Sequence, residues 1–344
     1  MDILVIASTR KNAGKTSMII GLAQAMKREF GYIKPFGDRL FYRKKRLWDY
    51  DAALVVNTFN LESDPEEMSL AFDHAKIRYM YDEAMTKERL SHMISVIGEN
   101  KALVFVEGGE NLTYGASVYL DAISVARHTD GMVILVVSGE DGTIMDDLSF
   151  VRRYVDLSGV NIRGVILNKV QDPDDFRETY LASVEQMGFS VIGMIPFTRE
   201  LTYVSVSTLI ERLFVKVIAG EGGVANVVKN IFVGAMSGEV VRQDPLFRRE
   251  AKLIITGGDR SDMIAAALES DTACIILTNN IVPTPAILAK ASEKNIPLLL
   301  ASEDTYQIAT QIDSMDVVVS KSETEKIAVL GGIVHDYINI EKIL

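Results

Sequence analysis

The feature that most constrains this chain is a set of short apolar runs with no polar alternation. They are DILVIAS (residues 2–8), ALVFVEGG (102–109), GMVILVVSG (131–139), IRGVILN (162–168) and SVIGMIP (190–196), with the shorter GYIKP (31–35) as a further strand. Each closes on glycine, asparagine, proline or a polar turn. A strand whose successive side chains are all apolar is covered on both faces, which calls for parallel strands joined by helical crossovers. The intervening text supplies the crossovers: TSMIIGLAQAMKREFG, ERLSHMISVIGEN, DDLSFVRRYVDLSG and DDFRETYLASVEQMG all have helical apolar spacing. The expectation is a doubly wound α/β domain with its ligand at the carboxyl ends of the strands.

Near residue 200 the rhythm changes. TYVSVSTLIERLFVKVIAG reads as a helix leading into a strand, and EGGVANVVKNIFVGAMSG is punctuated by glycine. KLIITGGDRSDMIAAALES, TACIILTNNIVPTPAILAKASEKN and IPLLLASEDTYQIATQID then form a smaller set of strand–turn–helix units, before the closing segment SETEKIAVLGGIVHDYINIEKIL. A length of 344 residues suits two domains, expected at 1–203 and 204–344, the second carrying the C-terminal helix. Hydrophobic residues make up 48% of the chain, enough for two cores. The net charge of −11 argues against nucleic acid as a partner. No apolar run reaches the ~18 residues of a membrane span, nothing basic precedes the first apolar run, and there is one cysteine, so a cytoplasmic location is expected.

The first strand feeds the turn STRKNAGKTS, residues 8–17. A strand, a tight turn and a helix N-terminus point backbone N–H groups and the positive end of a helix dipole at an anion. In such a clamp Lys15 reaches the β- and γ-phosphates and the Thr16 hydroxyl sits on Mg²⁺, with Thr9, Asn12, Ala13, Gly14 and Ser17 lining the turn. Gly14 keeps a Cβ away from the anion, whereas Thr9 stands where the pattern has its first glycine. That first glycine mainly eases the exit from the strand, so the motif is incomplete yet workable as a site for ATP and Mg²⁺. Lys34 ends the next strand on the same rim, as a second phosphate lysine or a solvated loop residue. Glu107 ends a buried strand, placed for Mg²⁺, and Asp51 is either a cation ligand or a helix N-cap. Asn168 ends another strand, to pair with a purine edge or only to make a turn.

STRKNAGKT, the YIKP lysine, Asp51, VEGGE, GVILN and IGMIP occur in the order seen in dethiobiotin synthetase and cobyrinic acid a,c-diamide synthase. They look closer still to the dethiobiotin-synthetase-like N-terminal region of large phosphate acetyltransferases. VGAMS, IITGGDRSDMIAAAL, CIILTNN, IPLLL and EDTYQIA resemble the DRTGG domain that follows that region. The resemblance implies a P-loop NTPase-like domain with Lys15 and Thr16 as the clamp and Lys34 as a second phosphate or transition-state lysine. It also implies Thr16, Asp51 and Glu107 around Mg²⁺ and Asn168 as adenine reader. Two departures are Thr9 and the order Gly257-Gly258-Asp259-Arg260. The resemblance implies a nucleotide-binding regulatory or metabolite-sensing protein that self-associates as a homodimer or higher homo-oligomer. The alternative is an ATP-dependent ligase that activates a small carboxylate or carbamate, with Lys15 and Lys34 catalytic. A complete phosphate acetyltransferase is not expected, since its acyl chemistry belongs to a further domain for which these residues leave no room.

Other features read more plainly. Cys274 lies within ACIIL as a buried structural thiol, and the four histidines show no ligand spacing. RLFYRKKRLWDYD reads as a solvated loop near the site mouth, with Arg43–Arg46 available to an anionic substrate or a neighbouring subunit. TGGDRSD reads as a tight turn, with anion binding the other option.

Overall fold

The computed structural model describes residues 1–43, 46–234, 236–313, 315 and 323–343. The chain forms two compact units, Met1–Thr198 with Val319–Leu344, and Arg199–Val318. The first opens with β1 (Asp2–Ser8), α1 (Lys15–Met26) and β2 (Phe30–Ile33), then β3 (Leu40–Arg43), β4 (Arg46–Asp49) and α2 (Tyr50–Phe59). It continues through α3 (His74–Met80), α4 (Glu83–Ile97), β5 (Leu103–Glu107), α5 (Ala122–Thr129), β6 (Met132–Ser138) and α6 (Asp141–Tyr154). β7 (Asn161–Val170), α7 (Pro173–Thr179), α8 (Leu181–Gln186) and β8 (Val191–Pro196) complete that run. Six strands form one sheet in the order β2-β5-β1-β6-β7-β8, every pair parallel.

All six expected strands are present, and their cores are buried because both sheet faces are covered by helices. β1 lies between β5 and β6, so the connections wind to one side for β2 and β5 and to the other for β6 to β8. That reversal places the mouth of the crevice at the carboxyl end of β1, where the clamp turn begins.

The second unit contains β9 (Val204–Ser205), α9 (Val206–Leu213), β10 (Lys216–Ala219), β11 (Val227–Val228), β12 (Asn230–Val233) and α10 (Gly238–Val241). β13 (Lys252–Gly257), α11 (Ser261–Leu268), β14 (Thr272–Thr278), α12 (Pro285–Glu293), β15 (Leu298–Leu300) and α13 (Thr305–Asp313) follow. Its sheet runs β10-β15-β14-β13-β12; β12 to β15 are mutually parallel and β10 is antiparallel to β15. Cys274 is fully buried in β14, and burial pushes its thiol well up, as expected of a core residue.

Two expectations need correction. The C-terminal helix α14 (Thr324–Tyr337) was expected with the second domain, but it packs in the first unit against α1. The cause is legible in α1: Met18, Ile19, Ile20, Leu22 and Ala23 are all buried, too many for the one face that meets the sheet. Gly21 permits the contact, since a Cβ there would lie 2.4 Å from Val334 Cγ2 and 2.9 Å from the Leu330 carbonyl. The basic RLFYRKKRLWDYD segment, expected as a loop, is an antiparallel hairpin pairing Leu40 with Asp49 and Phe41 with Trp48. Its run of aromatic residues, Phe41, Tyr42 and Trp48, suits strand conformation. Arg46 pairs with Glu66 at 2.5 Å; Lys44 and Lys45 lie outside the described residues, as does Ala235 of VGAMS.

Candidate functional site

The turn between β1 and α1 is held from several sides. Gly14 has φ +103°, a left-handed conformation, and a Cβ there would sit 2.4 Å from Asn168 Nδ2. Asn168 Nδ2 donates to the Ala13 carbonyl at 2.7 Å, and Lys169 Nζ donates to the Asn12 carbonyl at 2.8 Å. The end of β7 thus braces the turn from the neighbouring strand, and a purine edge would have to compete with Ala13 for the buried Asn168 amide. No side chain caps α1 and its first turn has no acidic residue. The backbone amides that open a helix accumulate positive potential, here around the half-buried Ser17.

Lys15 Nζ donates to Ser8 Oγ at 2.9 Å and to the Glu110 carbonyl at 3.3 Å. It is 8% exposed, and burial lowers its pKa against the pull of Glu107. Thr16 Oγ1 donates to Glu107 Oε1 at 2.8 Å, and Tyr32 OH donates to Glu107 Oε2 at 2.8 Å. Glu107 is fully enclosed at the end of β5, and burial pushes its pKa up to about 7, aided by Asp51 and opposed chiefly by Lys34.

Lys34, at the carboxyl end of β2, is the centre of an acidic cage. Its ammonium lies 2.5 Å from Asp38 Oδ1, 2.6 Å from Asp51 Oδ2, 3.4 Å from Asp49 Oδ2 and 4.0 Å from Glu107 Oε1. Burial opposes its charge, but these carboxylates together raise its pKa well above the usual lysine value. Burial likewise pushes Asp51 up, yet Lys34 and Arg39 outweigh it and hold the group ionised; for Asp49 burial prevails and the pKa rises. The helix N-cap proposed for Asp51 belongs to Asp49, whose Oδ1 accepts from the amides of Asp51 and Ala52 at 2.9 and 3.1 Å. Asp51 is left facing Lys34.

Lys15, Thr16, Lys34, Asp51 and Glu107 are therefore gathered at one end of the sheet. Asp38, Arg39 and Tyr32 belong to the same cluster and were missed from the sequence. Tyr32 was within reach of a reading, since it lies two residues before Lys34, on the same face of the extended chain. Thr9 Oγ1 is buried without a hydrogen-bond partner among the described residues.

These residues fit a magnesium-bound nucleotide. The left-handed glycine keeps a Cβ out of the turn, an orphaned hydroxyl lies on it, and the Glu107 carboxylate, an oxygen ligand of the hard-cation type, stands beside Thr16. Asp38, Asp49 and Asp51 place carboxylate oxygens within 4.8 Å of one another, around the Lys34 ammonium.

The second unit offers a contrast. In the TGGDRSD turn a Cβ on Gly258 would lie 1.7 Å from the Ile281 carbonyl, so close packing requires that glycine. Arg260 donates to the Met236 carbonyl at 2.7 Å, and Asp262 accepts from the Gly238 amide at 2.8 Å. Arg260 and Asp262 of the turn are thus engaged within the fold.

A P-loop domain at the switch point of a parallel sheet is the class that this fold and site define. The family model described as an AAA domain (AAA_26) matches residues 2–205, and the chain belongs to that family. A DRTGG domain matches residues 208–315. Phosphate acetyltransferase of Nitratidesulfovibrio vulgaris is 20% identical over 333 residues, covering 91% of this chain and 47% of that protein. Phosphate acetyltransferase of Deinococcus radiodurans is 24% identical over 343 residues, covering 92% and 47%. The chain spans about half the length of these relatives, and its pair of domains fits their N-terminal region. Among solved structures, the CBS and DRTGG domains of the regulatory region of Clostridium perfringens pyrophosphatase match 40% of this chain and 62% of that chain at 19% identity, TM-score 0.29. No helix among the described residues is long and apolar enough to cross a membrane.

Proposed function

We propose that the first domain binds ATP with Mg²⁺ and that the protein is regulatory, the nucleotide state being coupled to self-association or metabolite sensing by the DRTGG domain. The observation that carries this reading is the buried cluster around Lys34, at the switch-point end of the sheet beside the clamp turn. Gly14, Lys15, Thr16 and Ser17, with Thr9, Asn12 and Ala13, would hold the phosphates; Thr16, Asp51 and Glu107 would hold the cation. Bound there, Mg²⁺ would supply charge neutralisation between the phosphates and the carboxylates.

A regulatory role suits Lys34 better than a catalytic one. Its ammonium donates to Asp38 and Asp51 and lies 3.4 Å from Asp49, so in this arrangement it is committed to the cage rather than to a transferring phosphoryl group. Lys34 serves to balance the acidic cage, and Lys15 is left as the phosphate lysine.

The test is phosphate release from labelled ATP with Mg²⁺, with and without a panel of small carboxylates and diamines. The reading predicts tight ATP binding, lost in Lys15→Ala, with no stimulation by any of the panel. Substrate-stimulated release, abolished by Lys15→Ala, would replace it with an ATP-dependent ligase.

A further inference from the structure

We propose that Arg39 is the residue that distinguishes a nucleoside triphosphate from a diphosphate at this site. The inference rests on the nucleotide reading above and deepens it. Arg39 stands at the foot of the β3–β4 hairpin, and its backbone and that of Asp38 before it are held by three hydrogen bonds. The amides of Asp38 and Arg39 donate to Asp49 Oδ2 at 3.0 and 3.1 Å, and the Arg39 carbonyl accepts from the Tyr50 amide at 2.8 Å. Its side chain, 21% exposed, spans from the acidic cage to the clamp turn. One guanidinium nitrogen donates to Asp51 Oδ1 at 3.2 Å, and another donates to the side-chain oxygen of Asn12.

Asn12 lies inside the clamp turn, in the left-handed region at φ 61°. The guanidinium therefore already touches the loop expected to cradle the phosphates, and it does so through a neutral amide. A phosphate oxygen is a better acceptor for a planar guanidinium, since the bond becomes charge-assisted and the fork can engage two oxygens. The contact with Asp51 is made by a different guanidinium nitrogen from the one that meets Asn12, and Lys34 also lies 2.6 Å from Asp51. The exchange of Asn12 for a terminal phosphate thus leaves the Arg39–Asp51 ion pair in place. The fixed backbone keeps the guanidinium within reach, and only side-chain torsions change. A diphosphate held by the turn amides and Lys15 lacks the additional charge that Arg39 would meet.

The experiment is equilibrium titration of the full chain with Mg²⁺-ATP and with Mg²⁺-ADP. Binding is followed by calorimetry and by emission of Trp48, the single tryptophan, which lies in β4 of the same hairpin. Arg39→Ala is expected to lose ATP affinity by ~10- to 100-fold while ADP affinity changes by less than about threefold. Arg39→Lys, which keeps the charge without the fork, should recover only part of the ATP preference. Equal losses for both nucleotides would make Arg39 a structural brace and overturn the proposal, as would an unchanged ATP:ADP ratio. Circular dichroism reports folding; if Arg39→Ala unfolds, the ATP:ADP ratio of Arg39→Lys decides alone. A wild-type chain that binds neither nucleotide would instead overturn the nucleotide reading on which this one stands.

Discussion

Each of the two units carries a strand, a glycine turn and a helix at the carboxyl end of a parallel sheet, yet the two turns are filled in opposite ways. In the first, neighbouring strands deliver Lys34 and Glu107, and the turn meets charge that is buried and only partly balanced. In the second, the strand that feeds the turn offers Thr256 and the adjacent strand end Thr278, whose hydroxyls are bonded inside the fold, while the Ile281 carbonyl fills the space over Gly258. The glycine turn is a shared piece of backbone geometry. What the flanking strands bring to it decides whether it becomes a site.

The sharpest way to break this comparison is to remove the buried lysine from each unit. Lys34→Met strips the cation from four carboxylates and should cost about 3–5 kcal/mol at neutral pH, measured as a loss in urea unfolding free energy. Lys252 is equally buried, but its ammonium donates to the Asp271 and Arg249 carbonyls at 2.6 and 3.2 Å and lies over Phe247. Lys252→Met should cost only about 1–2 kcal/mol. Similar costs for the two would remove the distinction between a charged cage and a structural lysine.

Next in size are the glycines. Gly258→Ala forces a Cβ onto the Ile281 carbonyl and should destabilise by about 2–3 kcal/mol with no effect on nucleotide binding. Gly14→Ala meets a side-chain amide and a left-handed backbone; it should cost about 1–2 kcal/mol and abolish ATP binding.

Smaller, and specific to the first unit, is a pH effect. Glu107 keeps its proton to about pH 7 in the fold and to about 4.5 when unfolded. Between those values folding takes up a proton, so stability should fall as pH rises from about 4.5 to 7 and then level off. Burial of Asp49 adds in the same direction. Glu107→Gln should flatten most of that slope in denaturant midpoints taken across the window. The smallest structural effect belongs to Lys15→Ala, whose partners are a hydroxyl and a carbonyl; unfolding free energy should change by ~1 kcal/mol.

Much of this contrast could be read from the sequence, for identifiable reasons. The parallel sheet was legible because full burial on both faces erases polar alternation, and GKT after the first such strand marked the clamp. Lys34 and Glu107 were found because each ends an apolar run. Asp38 and Arg39 were not, because their role depends on a hairpin that brings residues 38–39 against 49–51, and no local spacing announces that pairing. The swap between Asp49 and Asp51 has the same origin: both are two residues apart before a helix, and only the cap geometry assigns one to the backbone. The C-terminal helix was misplaced because covering the second face of α1 is a contact between the two ends of the chain.

The most direct test of the central claim is calorimetric titration of the wild-type chain with ATP, with Mg²⁺ present and with it chelated, alongside Lys15→Ala. The account predicts binding that requires Mg²⁺ and disappears in the variant, whose fold persists. Binding that ignores both the cation and Lys15, or no binding at all, would contradict it.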